Sequence, residues 1–408
     1  LKYKHFIILT VIVFFKFIRK VQKESIIFRY KFLKKNLRNL SNVEILRFGY
    51  QKKTSTSTEN KISVIRNITT LSLNNNKLRY LTYSSFINMP NLRKLHISSN
   101  MISSINVDTF ENQNLLEELY LDDNDLSFLP KNWCEFMKNL RYLNLSGNKI
   151  TYLEMINMQN EEIVNLKGLN LNDIPTELIK SKTIQAISLE NNEISVVPKD
   201  IFYKIPNLQC LDLARNKIII TNVKDISVAK SLKMLSLRGN MIYNIDKKAF
   251  FKFTELEFLD LSENKLQSLP FENIFRGLES LLELRMSHNR FISIPNICAL
   301  HSVRHVDLSY NRIVEINSDS FCFTTFIETL NLSNNHILNI NNNFDKLQTL
   351  QKLDLSNNFI NKLPTMLIQR AQFLEILLLR NNSITSIDEL FSLQLRTLRE
   401  IHLEENPF

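Results

Sequence analysis

The sequence predicts an α/β repeat solenoid: a parallel sheet lining a curved inner face, with irregular or short-helical segments outside. Three observations predict it. The first is a period. Asn76, Asn100, Asn124, Asn148, Asn192, Asn216, Asn240, Asn264, Asn289, Asn311, Asn335, Asn358, Asn382 and Asn406 follow one another at intervals of 22 to 25 residues, with a single interval of 44. A fixed period of this size is the signature of stacked coils and overrides any reading by separate globular domains. The second is the phrase before each Asn. In "LRYLNLSGN", residues 140–148, leucines alternate with a polar residue, which describes a short strand buried on one face. The third is an aromatic about ten residues past the Asn: Phe86, Phe110, Phe202, Phe250, Phe275 and Phe321. Rings of that size fill the wider outer side of each coil, which bends the stack so that the strands line its inner curve.

The Asn has a physical reason. After the strand the chain must turn, and the turning backbone points polar groups inward with no ladder partner. Each such group left unpaired costs ~1–3 kcal/mol. An Asn side chain carries an acceptor and two donors, so one inward amide serves its own coil and the next. The interval of 44 hides an irregular copy, "LKGLNLNDI", in which Ile174 falls in the Asn slot. About fifteen copies result, and a weaker one precedes them at Val43–Phe48.

The pattern LxxLxLxxNxLxxL with its following Phe resembles the typical 24-residue, extracellular type of leucine-rich repeat, and the match runs over residues 65–408. The closing "LEENPF" is similar to the entry of the C-terminal cap of extracellular members, so the array reads as truncated at that cap. The resemblance implies a curved horseshoe with a concave parallel sheet, like the ectodomains of Toll-like receptors, chaoptin-like and Slit-like proteins. It further implies a receptor or adhesion protein that binds a protein ligand on the concave face, as a monomer or dimer, at the cell surface or secreted. An intracellular scaffold or adaptor in the cytoplasm is the alternative.

The net charge of +10 suggests nucleic acid until it is located. Residues 1–60 carry a balance of +11, so the repeats are close to neutral and hold no basic stripe. No nucleic-acid partner is expected. Residues 1–20 contain an apolar run from Phe6 to Phe15, which fits a signal peptide or an anchor and is too short to span a bilayer. A membrane tether is expected either there or in a C-terminal segment past Phe408. Residues 21–64 form a basic flank, in which apolar residues at helical spacing from Ser25 to Leu40 suggest a capping helix. Residues 52–61 read as a loop.

Enzyme constellations fail. Five glycines yield no phosphate-binding pattern, and His301 and His305 lack an acidic companion for zinc. No catalytic residue, metal or cofactor is expected. Ligand binding is expected where the strand face departs from small polar residues: Asp212, Arg215, Met234, Arg238, Phe258, Asp260, Glu283, Arg285, His288, His305, Asp307 and Tyr310. Interfaces favour Arg, Met and aromatics. Secondary patches are Tyr120 with Tyr142, near Glu118, Asp122 and Asp123, and the outward aliphatics Ile376 and Leu378. Cys298 and Cys322 each precede the next copy's first apolar residue by five positions, which stacks them within disulfide reach. Cys134 and Cys210 stand alone. Glycan acceptor triplets occur at Asn39, Asn67, Asn144, Asn331 and Asn381.

Overall fold

A computed structural model describes the backbone of Ile27–Phe28 and Ile45–Phe48, and residues 67–408 apart from 152, 154–159, 176–177, 179–181, 198–204, 222–230, 248, 270–273, 317–320, 322–325, 341–346, 363–371 and 389–396. The leader at 1–20, the loop at 52–61, Asn39, Phe202 and Cys322 lie outside the described residues. So does the helix expected over Ser25–Leu40, except that Ile27–Phe28 runs as a strand.

The chain forms two compact units, Leu1–Lys149 and Ile150–Phe408. Each is a parallel-strand solenoid. In the first unit Ile27–Phe28, Ile45–Phe48, Thr70–Ser72, Lys94–His96, Glu118–Tyr120 and Tyr142–Asn144 pair in sequence order. The weak copy expected at Val43–Phe48 is therefore a strand of this sheet. In the second unit the pairing runs from Ile163–Asn165 through Ala186–Ser188, Cys210–Asp212, Met234–Ser236, Phe258–Asp260, Glu283–Arg285, His305–Asp307, Thr329–Asn331, Lys352–Asp354 and Ile376–Leu378 to Glu400–His402.

Each strand is three residues long through most of the array, because only the central residue can reach the core. Leu95, Leu119, Leu143, Leu235, Leu259, Leu284 and Leu353 occupy that position and are fully buried. On the outer side Phe86 stacks on Phe110 at 5.9 Å, Phe110 meets Trp133 edge-on at 6.0 Å, and Phe250 stacks on Phe275 at 6.4 Å. Aromatic pairs in this range add ~0.5–1.5 kcal/mol beyond their burial. The expected short-helical outer segments appear, among the described residues, as a turn of 3-10 helix at Tyr83–Ser85.

The Asn amides do what the unpaired turn requires. Asn240 Nδ2 donates to Leu237 O of its own coil at 2.9 Å and to Leu213 O of the preceding coil at 3.0 Å, while its Oδ1 accepts Ile218 N–H at 3.0 Å. The same three-way bond recurs at Asn124, Asn148, Asn216, Asn264, Asn335 and Asn382. The residue just before each Asn is left-handed, from Asn75 to Glu405, with φ between 51° and 67°.

The irregular copy departs from the expectation. Ile163–Asn165 pairs in register with Ala186–Ser188, and Gly168 takes the left-handed slot at φ 66°. The Asn slot therefore belongs to Leu169, not Ile174. Glu161 consequently occupies the first apolar position of that coil and is 3% exposed. Its carboxylate accepts the Asn160 N–H at 3.2 Å, and burial pushes its pKa up to about 7.

Candidate strand-face interaction site

Strand alternation turns the first and third residue of every strand outward, so the second unit presents two columns of side chains. Along the first column Cys210, Met234, Phe258, Glu283, His305 and Thr329 are successive register neighbours. Along the third run Asp212, Ser236, Asp260, Arg285, Asp307 and Asn331. The large residues lie together in the middle. The Arg285 guanidinium sits 5.1 Å from the Phe258 ring centroid, within cation–π range, while its Nε donates to Glu283 at 2.6 Å. Arg238 grips Glu263 through Nε at 3.1 Å, and His305 Nδ1 lies 2.8 Å from Thr329 Oγ1.

The aspartates of this set also have a structural role. Oδ1 of Asp212, Asp260 and Asp307 accepts the N–H of Ala214, Ser262 and Ser309, at 3.0, 2.9 and 3.0 Å. Asn144, Asn165, Asn331 and Asp354 close the same turn. A side chain that bonds the backbone two residues on mimics a turn by itself, so this column caps the strand exits. Asp260 is 4% exposed and is removed from the contact surface. Burial raises the Asp212 carboxyl above the usual carboxylate range, against the opposing pull of the Ala214 N–H.

Arg215, His288 and Tyr310 do not lie on strands. They occupy the left-handed slot past the strand exit, with φ of 54°, 53° and 53°. There the His288 and Tyr310 rings stack at 4.1 Å, only 9° from parallel, and Tyr310 stays 50% exposed.

In the first unit Tyr120 and Tyr142 are diagonal neighbours, because Tyr120 is the third residue of its strand and Tyr142 the first of the next. Their centroids are 4.7 Å apart. His96, which the sequence reading missed, stacks on the other face of Tyr120 at 4.3 Å. The signal for it was available: His96 is the third strand residue one coil before Tyr120. Tyr120 Oη donates to Glu118 at 3.1 Å, and Lys94 Nζ reaches the same carboxylate at 2.6 Å. Asp122 accepts from Ser98 Oγ at 2.8 Å and Asn144 Nδ2 at 3.0 Å. Burial, then the charge of Glu118, pushes the Tyr120 phenol above its usual range; burial and Asp122 do so for Tyr142.

Ile376 and Leu378 are half-buried rather than open, since they pack along the columns between Lys352 and Glu400 and between Asp354 and His402. Cys298 is disulfide-bonded, and Cys134 and Cys210 are reduced. Of the glycan acceptors, Asn67 and Asn381 are exposed. Asn144 is 9% exposed and both its amide atoms are engaged, by Asp122 and by Ser146. Among the described residues no three His, Cys, Asp or Glu side chains converge as a metal site, and no helix is long and apolar enough to cross a membrane.

A solenoid of parallel strands, closed coil by coil by an Asn amide, defines the class of leucine-rich-repeat folds. The leucine-rich-repeat model matches residues 66–126, 114–173, 182–242, 230–291 and 301–360, and the chain belongs to this family. Among curated relatives, mouse podocan is 26% identical over 343 residues, which is 83% of this chain and 44% of podocan. The chain thus spans less than half of that relative's length. Bovine osteomodulin is 28% identical over 179 residues, 44% of this chain and 40% of that protein. Among solved structures, a leucine-rich-repeat protein of Leptospira interrogans aligns over 94% of this chain and 95% of its own, with a TM-score of 0.71 and 27% identity. Toll in its complex with Spatzle, from Drosophila, aligns over 90% of this chain and 48% of its own, with a TM-score of 0.66; at 22% identity it shares the fold alone.

Proposed function

We propose that the chain is a non-catalytic recognition module that holds a protein ligand on the strand face of its second unit, within a secreted or cell-surface protein of receptor or adhesion type. One observation carries the reading. Met234, Phe258, Glu283 and His305 follow one another in register down the column, with Arg285 over the Phe258 ring. Large, semi-rigid side chains on a preformed surface supply contact area at low ordering cost. The disulfide at Cys298 supports an oxidising compartment, and exposed Asn67 and Asn381 supply glycan acceptors. Binding here is an equilibrium without turnover.

The test is retention of a partner from source-tissue extract by the immobilised chain, quantified for wild type and for Arg238→Glu combined with Phe258→Ala. Retention should fall at least about tenfold, a difference of ~1.4 kcal/mol, with the melting temperature little changed. Equal retention overturns the site.

A further inference from the structure

A second surface lies past the strand exits of the second unit, beside the Asn ladder. The residue after each Asn and the third residue after it both face outward there. The first row runs Arg290, Arg312, His336 and Phe359, all exposed, with His336 and Phe359 rings 5.8 Å apart. The second row runs Ile292, Val314 and Leu338, which are 63%, 44% and 47% exposed. On the other side of the cationic row stand the stacked rings of His288 and Tyr310. A shallow depression lined by His288, Tyr310, Arg312, Asn334 and His336 joins them.

The two arginines here differ from four others of the unit. Arg238, Arg285, Arg304 and Arg380 each hold a glutamate. Among the described residues, no carboxylate pairs with Arg290 or Arg312. Two unneutralised guanidiniums beside a row of exposed aliphatics make a surface that is half charged and half apolar. Water satisfies the first half and not the second. A sulfated or phosphorylated sugar would neutralise the arginines and leave the aliphatic row wet. An extended peptide with acidic side chains on one face and apolar ones on the other covers both. From Arg290 to Phe359 the row crosses four coils, ~14 Å at the strand spacing, which is about four residues of extended chain.

We propose that this flank is a docking surface for an extended acidic segment of a protein partner, with carboxylates on Arg290 and Arg312 and apolar side chains on Ile292, Val314 and Leu338. The assignment is independent of the strand-face reading, since no residue of the Met234–His305 column takes part.

The experiment is selection of a displayed library of random peptides, about twelve residues long, on the whole chain, with heparin fragments as a second probe. Selected peptides should interleave Asp or Glu with Leu, Ile, Val or Phe. A synthetic copy should lose about tenfold or more in affinity on Arg290→Glu/Arg312→Glu and on Ile292→Ser/Leu338→Ser, and should bind Phe258→Ala unchanged. Circular dichroism of the variants checks that they fold. Selection of peptides without acidic residues, or affinity indifferent to both double substitutions, overturns the proposal. So does a flank that takes heparin fragments but selects no such peptide, which would make it a polyanion site.

Discussion

Both units carry a stack of aromatic rings, and the two stacks are opposites. His96, Tyr120 and Tyr142 lie on strands, half-buried, with the Tyr120 phenol bonded to Glu118 and the Asp122 carboxylate to Ser98 and Asn144. His288 and Tyr310 lie on the turn, exposed, next to Arg312, which no carboxylate pairs with among the described residues. Satisfied polar groups around packed rings stabilise a fold. An exposed ring pair on a turn adds little to the free molecule beyond its own stacking, which is why the second stack is read as a surface for something else.

The strongest way to break this contrast is Tyr120→Ala. The ring is sandwiched between His96 and Tyr142 and anchors to Glu118, so its removal should cost about 3 kcal/mol, toward the lower end of large-to-small aromatic losses because the site is not fully buried. Urea denaturation of the variant measures it. A loss under about 0.5 kcal/mol, the range of ordinary surface substitutions, would make the first stack as dispensable as the second and erase the distinction.

Glu161 sharpens the contrast from the other side, as a buried carboxyl with little to hold it. Its folded pKa is pushed up to about 7 from 4.5. Between those values the folded state binds more protons than the unfolded one. This contribution to stability is therefore complete below pH 4.5, falls as pH rises, and is gone above pH 7. The span is about 3 kcal/mol at most. Glu161→Gln should gain about 2 kcal/mol at pH 8, the Gln amide still being buried, and close to nothing at pH 4.5. Chemical denaturation at the two pH values reads the difference, and parallel curves for variant and wild type would refute it.

The Asn ladder gives a smaller effect than its bond count suggests. Removing Asn240 leaves Leu213 O still bonded by Asn216 and Leu237 O still bonded by Asn264. Only Ile218 N–H loses its acceptor. Asn240→Ala should therefore cost about 1–2 kcal/mol, not three times that, by thermal or urea unfolding. The same redundancy explains how Leu169 sits in one slot: Leu166 O keeps the bond from Asn192 at 2.9 Å.

That slot also shows where legibility ended. The ladder was readable because one residue type recurs once per coil at a fixed distance. In "EEIVNLKGLNLNDI" two overlapping registers satisfy the apolar pattern equally, and the better local match, through Leu171, is the wrong one. Register is decided by the neighbouring strand at Ala186–Ser188, which no local pattern contains. The strand-face residues were legible by alternation, but their bonding was not: nothing in the pattern shows that Asp212 and Asp307 also cap the strand exits. The flank stayed hidden for another reason. Arg290, Arg312 and Ile292 follow the Asn, where the pattern reads as turn, and their exposure is known only once coils are stacked.

The smallest effect makes the finest test of the two stacks. Tyr310 holds φ at 53°, a conformation a bulky residue adopts at a cost of ~1–2 kcal/mol, while the same slot one coil later holds Asn334. Tyr310→Asn relieves part of that strain and forfeits the His288 stack, worth ~0.5–1.5 kcal/mol. The two terms nearly cancel, so unfolding free energy should move by less than about 0.5 kcal/mol, while binding of an acidic peptide to the flank weakens. If Tyr310→Asn instead destabilises the chain as much as Tyr120→Ala, the ring is structural in both units and the flank loses its aromatic wall as evidence.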